Sequence, residues 1–190
     1  MKQRGGPPVK GWTVLDRTVV FSGGPIREVV KERVELPDGQ VVPDYYRVHM
    51  DDFALVFASD PDERVLMFRH YRHGLGRVCL GFPGGAIAPG ESPADAIRRE
   101  LLEETGYASA SWESLGAYVT NANQRCNAAH LFRARDCRPI QEPRSGDLEE
   151  TELVLLQPDE LLSPTRLAEI GLASHVALLL LATHPRLRFT

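Results

Sequence analysis

With 190 residues, 43% hydrophobic and 25% charged, the chain is long enough for one domain with a sizeable core and a small added subdomain. Its net charge of −4 argues against a nucleic-acid binder driven by phosphate attraction and needs no explanation beyond solubility. Cys79, Cys126 and Cys137 form no CxxC pair and six histidines show no HxH or HExxH spacing, which points to a reducing cytoplasm and against a histidine-bound zinc site.

Residues 1–11, rich in Gly and Pro, read as a flexible leader; positive charge there is followed by no apolar segment, unlike a signal peptide. From 12 to 50 the text alternates, in WTVLDRTVVF and then IREVVKERVELPDGQVVPDYYRVHM, broken by SGGP and PDG. β-Branched and aromatic residues at period two predict two or three antiparallel strands. Such a meander has little core of its own and is expected to pack on the rest of the chain or on a second copy of itself.

Residues 51–190 read as the main domain. FALVFAS and RVLMFRHY, separated by DPDE, predict a β-hairpin, and RVCLGFPGG predicts a loop with a short strand. Further strands are expected at SLGAYVT, AAHLFRA and TELVLLQ. Helix is expected at PDELL and again from about Ser174 to His184. The run VALLLLA at 176–182 is far too short to span a bilayer and reads as part of a buried helix. Strands before, after and around a central helix make an α/β protein with a mixed sheet.

That central helix lies within GGAIAPGESPADAIRRELLEETGY. Ser92 is a good N-cap, Pro93 suits the first helical position, Asp95 falls at the third, and Gly106 ends the helix. Ala96, Ile97, Leu101 and Leu102 supply the apolar side. Glu100, Glu103 and Glu104 fall within an arc of about 100°. Glu91 comes from the loop just ahead, and Arg99, four residues before Glu103, can pair with it. Like charges on one face repel unless a cation compensates them. Hard oxygen donors gathered this way suit Mg2+, with Mn2+ as the other candidate. The fragment REL-EE alone is a common solvated surface string; the whole spacing is not.

Gly85, then Glu91, then Arg99-Glu100-Leu101-x-Glu103-Glu104-x-Gly106-Tyr107 resembles the signature box of the Nudix hydrolases. Only Tyr107 departs, where an aliphatic residue is more usual. The resemblance implies an α/β/α sandwich around a mixed β-sheet, with the box as loop-helix-loop. It also implies metal-dependent hydrolysis of a nucleoside diphosphate linked to another moiety. Carried onto this chain, Glu100 and Glu104 would ligate metal, Glu103 would do so directly or through water, and the Gly84 carbonyl would add an oxygen. Arg99 would orient the acids and Glu91 would support the loop.

An N-terminal meander followed by RHYRHG and FPGG resembles the subfamily that cleaves ADP-ribose and nucleoside diphosphate sugars. This implies a homodimer built with the N-terminal strands, often by exchange. Arg72 matches a phosphate-contacting arginine, against the alternative of a surface arginine. Trp12 and Tyr46 are candidates for stacking on a base, beside the ordinary role of packing a strand. A general base is expected on the loop PRSGDLEETELV, with Glu149 and Glu150 ranked above Asp147. Ala122 stands where ADP-ribose hydrolases usually carry a proline, and Gly81 replaces a common glutamate, which leaves the sugar open. Two alternatives remain: cleavage of nucleoside triphosphates or dinucleoside polyphosphates, and a sensor that binds without turnover. Sensors tend to lose box acids, and Glu100, Glu103 and Glu104 are all present here.

Overall fold

Three long alternating stretches build strands β1 (Thr13–Gly23), β2 (Ile26–Glu35) and β3 (Val41–Met50), paired in that order as an antiparallel meander. The computed structural model describes residues 8–144 and 150–184 of the chain. The meander forms one compact unit together with Asn121–Asn127. Within this unit, the Gln124 and Cys126 carbonyls accept from the Val48 and Met50 amides at 3.1 and 2.8 Å. Val30 and Val34 of β2 are buried, and buried Glu32 pairs with Arg47 at 3.2 Å. Strand β1 is exposed along its whole length.

The second unit runs from Asp52 to Thr120 and resumes at Ala128. Its first half holds β4 (Phe53–Ala58), β5 (Val65–Arg72), β6 (Arg77–Gly81), β7 (Gly84–Ala86) and α1 (Pro93–Thr105). Then come β8 (Tyr107–Ala108), β9 (Ser111–Val119), β10 (Ala128–Arg135), β11 (Arg138–Pro139) and β12 (Thr151–Leu156). The helices α2 (Pro158–Leu161), α3 (Pro164–Glu169) and α4 (Ala173–Thr183) complete the order. Sheet order β7-β4-β10-β9 is mixed, because β10 runs parallel to β4 while its other neighbours are antiparallel. A second sheet, β12-β5-β6, is antiparallel throughout, and β8 pairs with β11.

The expected hairpin of β4 with β5 does not form. Both edges of β4 are taken, by β7 and β10, and both edges of β5 by β12 and β6. Among the described residues the isolated bridge Ser59↔Val65 is what links the end of β4 to β5. The turn between them is closed by Asp60, whose carboxylate accepts from the Asp62 and Arg64 amides at 3.0 and 2.8 Å. A well-made turn therefore separates strands that go to different sheets.

Alternation along β4 feeds two cores. Ala54, Val56 and Ala58 pack with Ile97 and Leu101 of α1, while Leu55 and Phe57 pack with Leu178, Leu179 and Ala182 of α4. The sheet is thus covered by α1 on one face and α4 on the other, the α/β/α layering that the Nudix resemblance implies. Each fully buried Leu or Ile of these cores contributes about 1.5–3 kcal/mol. The run at 176–182 is buried on one side only, since Leu180 is exposed. No helix among the described residues is long and apolar enough to cross a membrane.

Candidate active site

Helix α1 starts and stops where its sequence says. Ser92 has extended backbone, its Oγ accepts from the Asp95 amide at 3.1 Å, and Pro93 opens the helix. Gly106 turns into the left-handed region (φ 74°, ψ 2°) and donates its amide to the Leu102 carbonyl at 2.9 Å. Ala96, Ile97 and Leu101 are buried as expected, but Leu102 is only half-buried. The remaining inner position goes to Thr105, whose Oγ1 accepts from the Tyr107 amide at 3.0 Å.

With Ile97 and Leu101 fixed on the sheet, α1 sets Glu100 and Glu104 beside them, half-buried at the edge of that packed face, while Glu103 is exposed. Arg99 sits among them as a hub. Its Nε and Nη2 donate to the two carboxylate oxygens of Glu91 at 2.9 and 3.0 Å. Its Nη1 donates to Glu100 at 2.8 Å and to Glu103 at 3.1 Å. Glu91 also accepts from the Ala88 amide at 3.0 Å, which closes the loop before the helix.

Two glycines set how near the helix comes to strand β7. The Gly84 amide donates to Glu104 Oε2 at 2.9 Å. A Cβ on Gly84 would meet the Ala54 carbonyl oxygen at 2.1 Å, so only glycine lets β7 lie this close to β4. A Cβ on Gly85 would fall 2.5 Å from a Glu100 carboxylate oxygen. The missing side chain is the space that this carboxylate uses. Glu100 and Glu104 therefore both reach the Gly84–Gly85 turn from the helix.

The charges reinforce each other unequally. The Arg99 bonds, followed by the Ala88 amide, hold the Glu91 carboxyl below the usual carboxylate range. Arg99 is pushed above its ordinary value, first by Glu91 and then by Glu100 and Glu103.

The sequence model of the family described as the NUDIX domain matches residues 49–176, which is more than half of the chain. The chain belongs to the Nudix hydrolase family. It is 30% identical over 135 residues to an ADP-ribose pyrophosphatase of Bacillus subtilis, a match covering 71% of each chain. It is 35% identical over 121 residues to an ADP-sugar pyrophosphatase of Mus musculus, covering 60% of this chain and 54% of that one. A solved structure described as an ADP compounds hydrolase shares the fold, with a TM-score of 0.79 over 93% of this chain and 95% of the other, at 22% identity.

Within the Nudix box, the donor set is hard oxygen throughout: the carboxylates of Glu100, Glu103 and Glu104 and the backbone of the Gly84 turn. Among the described residues no three His, Cys, Asp or Glu side chains are placed to hold a metal ion between them, so a cation here would also need backbone, water or substrate oxygens. Hard oxygen donors of this kind suit a divalent cation that keeps waters and shares substrate phosphate oxygens.

The other expected residues are less closely gathered. Arg72, at the end of β5, donates its Nε to His70 Nε2 at 3.1 Å. Glu150 is exposed and lines an open cavity of about 590 Å³ with Arg69, His70, Tyr71 and Val78. Glu149 and Asp147 lie outside the described residues. Trp12 and Tyr46 belong to the N-terminal unit and are each about half-exposed, with Trp12 edge-on to Tyr45 at 5.5 Å.

Sequence reasoning missed His70 and His175. Both are buried, and both lie against Gly81, where a Cβ would stand 2.9 Å from His70 Nε2 and 3.3 Å from His175 Cε1. Gly81 itself was visible as a departure from the Nudix subfamily pattern. Its neighbours were not.

Proposed function

We propose that this Nudix hydrolase cleaves the pyrophosphate of ADP-ribose or another nucleoside diphosphate sugar with the help of Mg2+ or Mn2+. The products are a nucleoside monophosphate and a sugar phosphate. The observation that carries the reading is the convergence of Glu100 and Glu104 on the Gly84–Gly85 turn, with Glu100 also held by the guanidinium of Arg99. The names of the Bacillus subtilis and Mus musculus relatives support an ADP-sugar substrate.

Glu100, Glu104 and the Gly84 carbonyl would hold the cation, with Glu103 joining directly or through water. A bound divalent cation neutralises pyrophosphate charge and lowers the pKa of a water aligned with the phosphorus. The rest falls to the chain's own groups. Arg99 holds three carboxylates in fixed directions, so that little reorganisation is needed when substrate arrives. Glu91 keeps Arg99 from collapsing onto Glu100 or Glu103. Arg72, oriented by His70, offers its guanidinium to a substrate phosphate. Glu149 or Glu150 would take the proton of the attacking water. Trp12 and Tyr46 would stack on the base.

The exposed strand β1 supports a homodimer formed through the N-terminal unit. The three cysteines are free thiols, which supports a reducing cytoplasm as the working compartment.

The test is product analysis on ADP-ribose, ADP-glucose, GDP-mannose, UDP-glucose, a diadenosine polyphosphate and a nucleoside triphosphate, with Mg2+ or Mn2+. Glu104→Gln is run beside the wild type, because the amide can still accept from the Gly84 amide. A sugar nucleotide split to monophosphate and sugar phosphate, with the variant inactive, bears the reading out. Turnover of triphosphates or dinucleotides alone overturns the substrate class. Binding without any turnover makes the protein a sensor.

A further inference from the structure

The ladder of β6 with β5 ends at Gly81, opposite Phe68. The next amide, that of Phe82, is buried and has no strand partner of its own, a situation that costs free energy unless a side chain intervenes. His175, at the start of α4, intervenes: its Nδ1 accepts from the Phe82 amide at 2.9 Å. Its ring also lies 5.9 Å from the Phe82 ring at an inclination of 25°. A ring that accepts at Nδ1 carries its proton on Nε2.

Phe82 begins the turn that ends in the two site glycines. The Pro83 carbonyl accepts from the Val56 amide at 3.0 Å, and Gly84 and Gly85 pair with Leu55 and Ala54. The Gly84 amide goes to Glu104. Each of these anchors comes from β4 or α1, the elements that flank the turn. The anchor at Phe82 comes from the C-terminal helix. Gly81 makes it reachable, because any side chain there would collide with the His70 and His175 rings.

We propose that His175 is a positioning residue of the Nudix site: through Phe82 it fixes where the Gly84–Gly85 turn presents itself to Glu100 and Glu104. The inference rests on reading that turn as the cation and substrate site. Burial, followed by the charge of Arg72, pushes the His175 imidazole down to about 3. The ring therefore stays neutral, and its Nδ1 remains an acceptor, at any working pH.

Two variants separate positioning from packing. His175→Phe keeps a ring against Phe82 but removes the acceptor; His175→Asn restores an acceptor near the place of Nδ1. Each is measured for Tm, for kcat and KM on ADP-ribose with Mg2+, and for Mn2+ affinity without substrate by EPR of the free ion. In the Phe variant kcat and Mn2+ affinity should each fall on the order of 10- to 100-fold, as for loss of a group that supports metal ligands, with KM nearly unchanged. The Asn variant should recover most of both. Equal losses in the two variants, in step with equal losses of Tm, would reduce His175 to a packing residue and overturn the proposal. So would wild-type kcat and Mn2+ affinity in the Phe variant. Should the Phe variant not fold, the Asn variant is decisive together with the ¹⁵N–¹⁵N coupling across the Phe82–His175 bond in wild type. Absence of that coupling, or a collapse of kcat in a stable Asn variant, would sink the idea. If wild type does not hydrolyse ADP-ribose, the substrate reading fails, while the Mn2+ and coupling measurements still judge this one.

Discussion

Arg99 grips Glu91 with two parallel bonds, Nε to Oε1 at 2.9 Å and Nη2 to Oε2 at 3.0 Å, and spends its remaining nitrogen on Glu100 and Glu103. A planar fork holds Glu91 with two parallel bonds and still donates to Glu100 and Glu103; the three rotating donors of an ammonium cannot reproduce that fixed bidentate geometry. Arg99→Lys should therefore fold but lose on the order of 10²-fold in kcat through misplaced acids. Steady-state kinetics on ADP-ribose with Mg2+ would check this. A kcat close to wild type would mean that one positive charge suffices.

The same pair makes stability depend on pH in a known direction. The folded Glu91 carboxyl sits below its unfolded value of about 4.3. Its contribution is fully present above that pH and is lost as pH falls through the lower folded value. Glu91→Gln removes the charge but keeps an acceptor for the Ala88 amide. The Tm gap between wild type and this variant should be widest at pH 6–7 and close on acidification. A gap that stays constant to pH 3 would show that the Glu91 charge plays no part.

Arg72 and His70 form a smaller unit, joined Nε to Nε2 at 3.1 Å. If Arg72 meets substrate phosphate, Arg72→Ala should raise KM about tenfold or more, since hydrogen bonds to charged groups contribute about 1.5–3 kcal/mol. His70→Phe, which keeps a ring at this place but removes the Nε2 acceptor, should raise KM less. Neither change should shift kcat strongly. An unchanged KM in Arg72→Ala would make it an ordinary surface arginine.

What the sequence disclosed is what depends on near neighbours. The caps Ser92 and Gly106, the inner residues Ile97 and Leu101, and the acid side of α1 all follow from spacings of three and four. The pairing of β4 with β10 instead of β5 depends on which edges other strands occupy, and no local pattern encodes that. The joining of Asn121–Asn127 to the meander is similarly remote in sequence. His70 and His175 each look unremarkable in their own segments and meet only at Gly81. Glycine at 81 read as a loss; in three dimensions it is the room that two rings need.

Among the described residues β1 pairs only with β2, and Val14, Val19 and Phe21 along it are each about half-exposed. A long edge strand with apolar side chains invites pairing with another chain. If that chain is a second copy, Val19→Glu and Phe21→Glu, made separately, should each turn a dimer into a monomer in sedimentation velocity. The melting of the unit around α1 should be little changed. A monomeric wild type would end the dimer proposal.

Gly84 and Gly85 are adjacent, yet replacing each by alanine should fail in a different way. At Gly84 the new Cβ meets the Ala54 carbonyl oxygen at 2.1 Å and Leu55 Cα at 2.9 Å, both backbone of a central strand. Neither can yield cheaply, so Gly84→Ala should cost about 1–3 kcal/mol or more and lower Tm by several degrees. At Gly85 the three atoms nearest the Cβ all belong to the Glu100 carboxylate, at 2.5–2.7 Å, the far end of a flexible side chain. Glu100 can swing away, so Gly85→Ala should melt within about 2 °C of wild type. The displaced carboxylate is then lost to the site, and kcat and Mn2+ affinity should fall on the order of 10²-fold. Scanning fluorimetry beside the ADP-ribose assay reads both effects. If Gly85→Ala stayed active, Glu100 would not need the space that this glycine leaves, and the convergence of the two acids on the turn would lose its functional meaning.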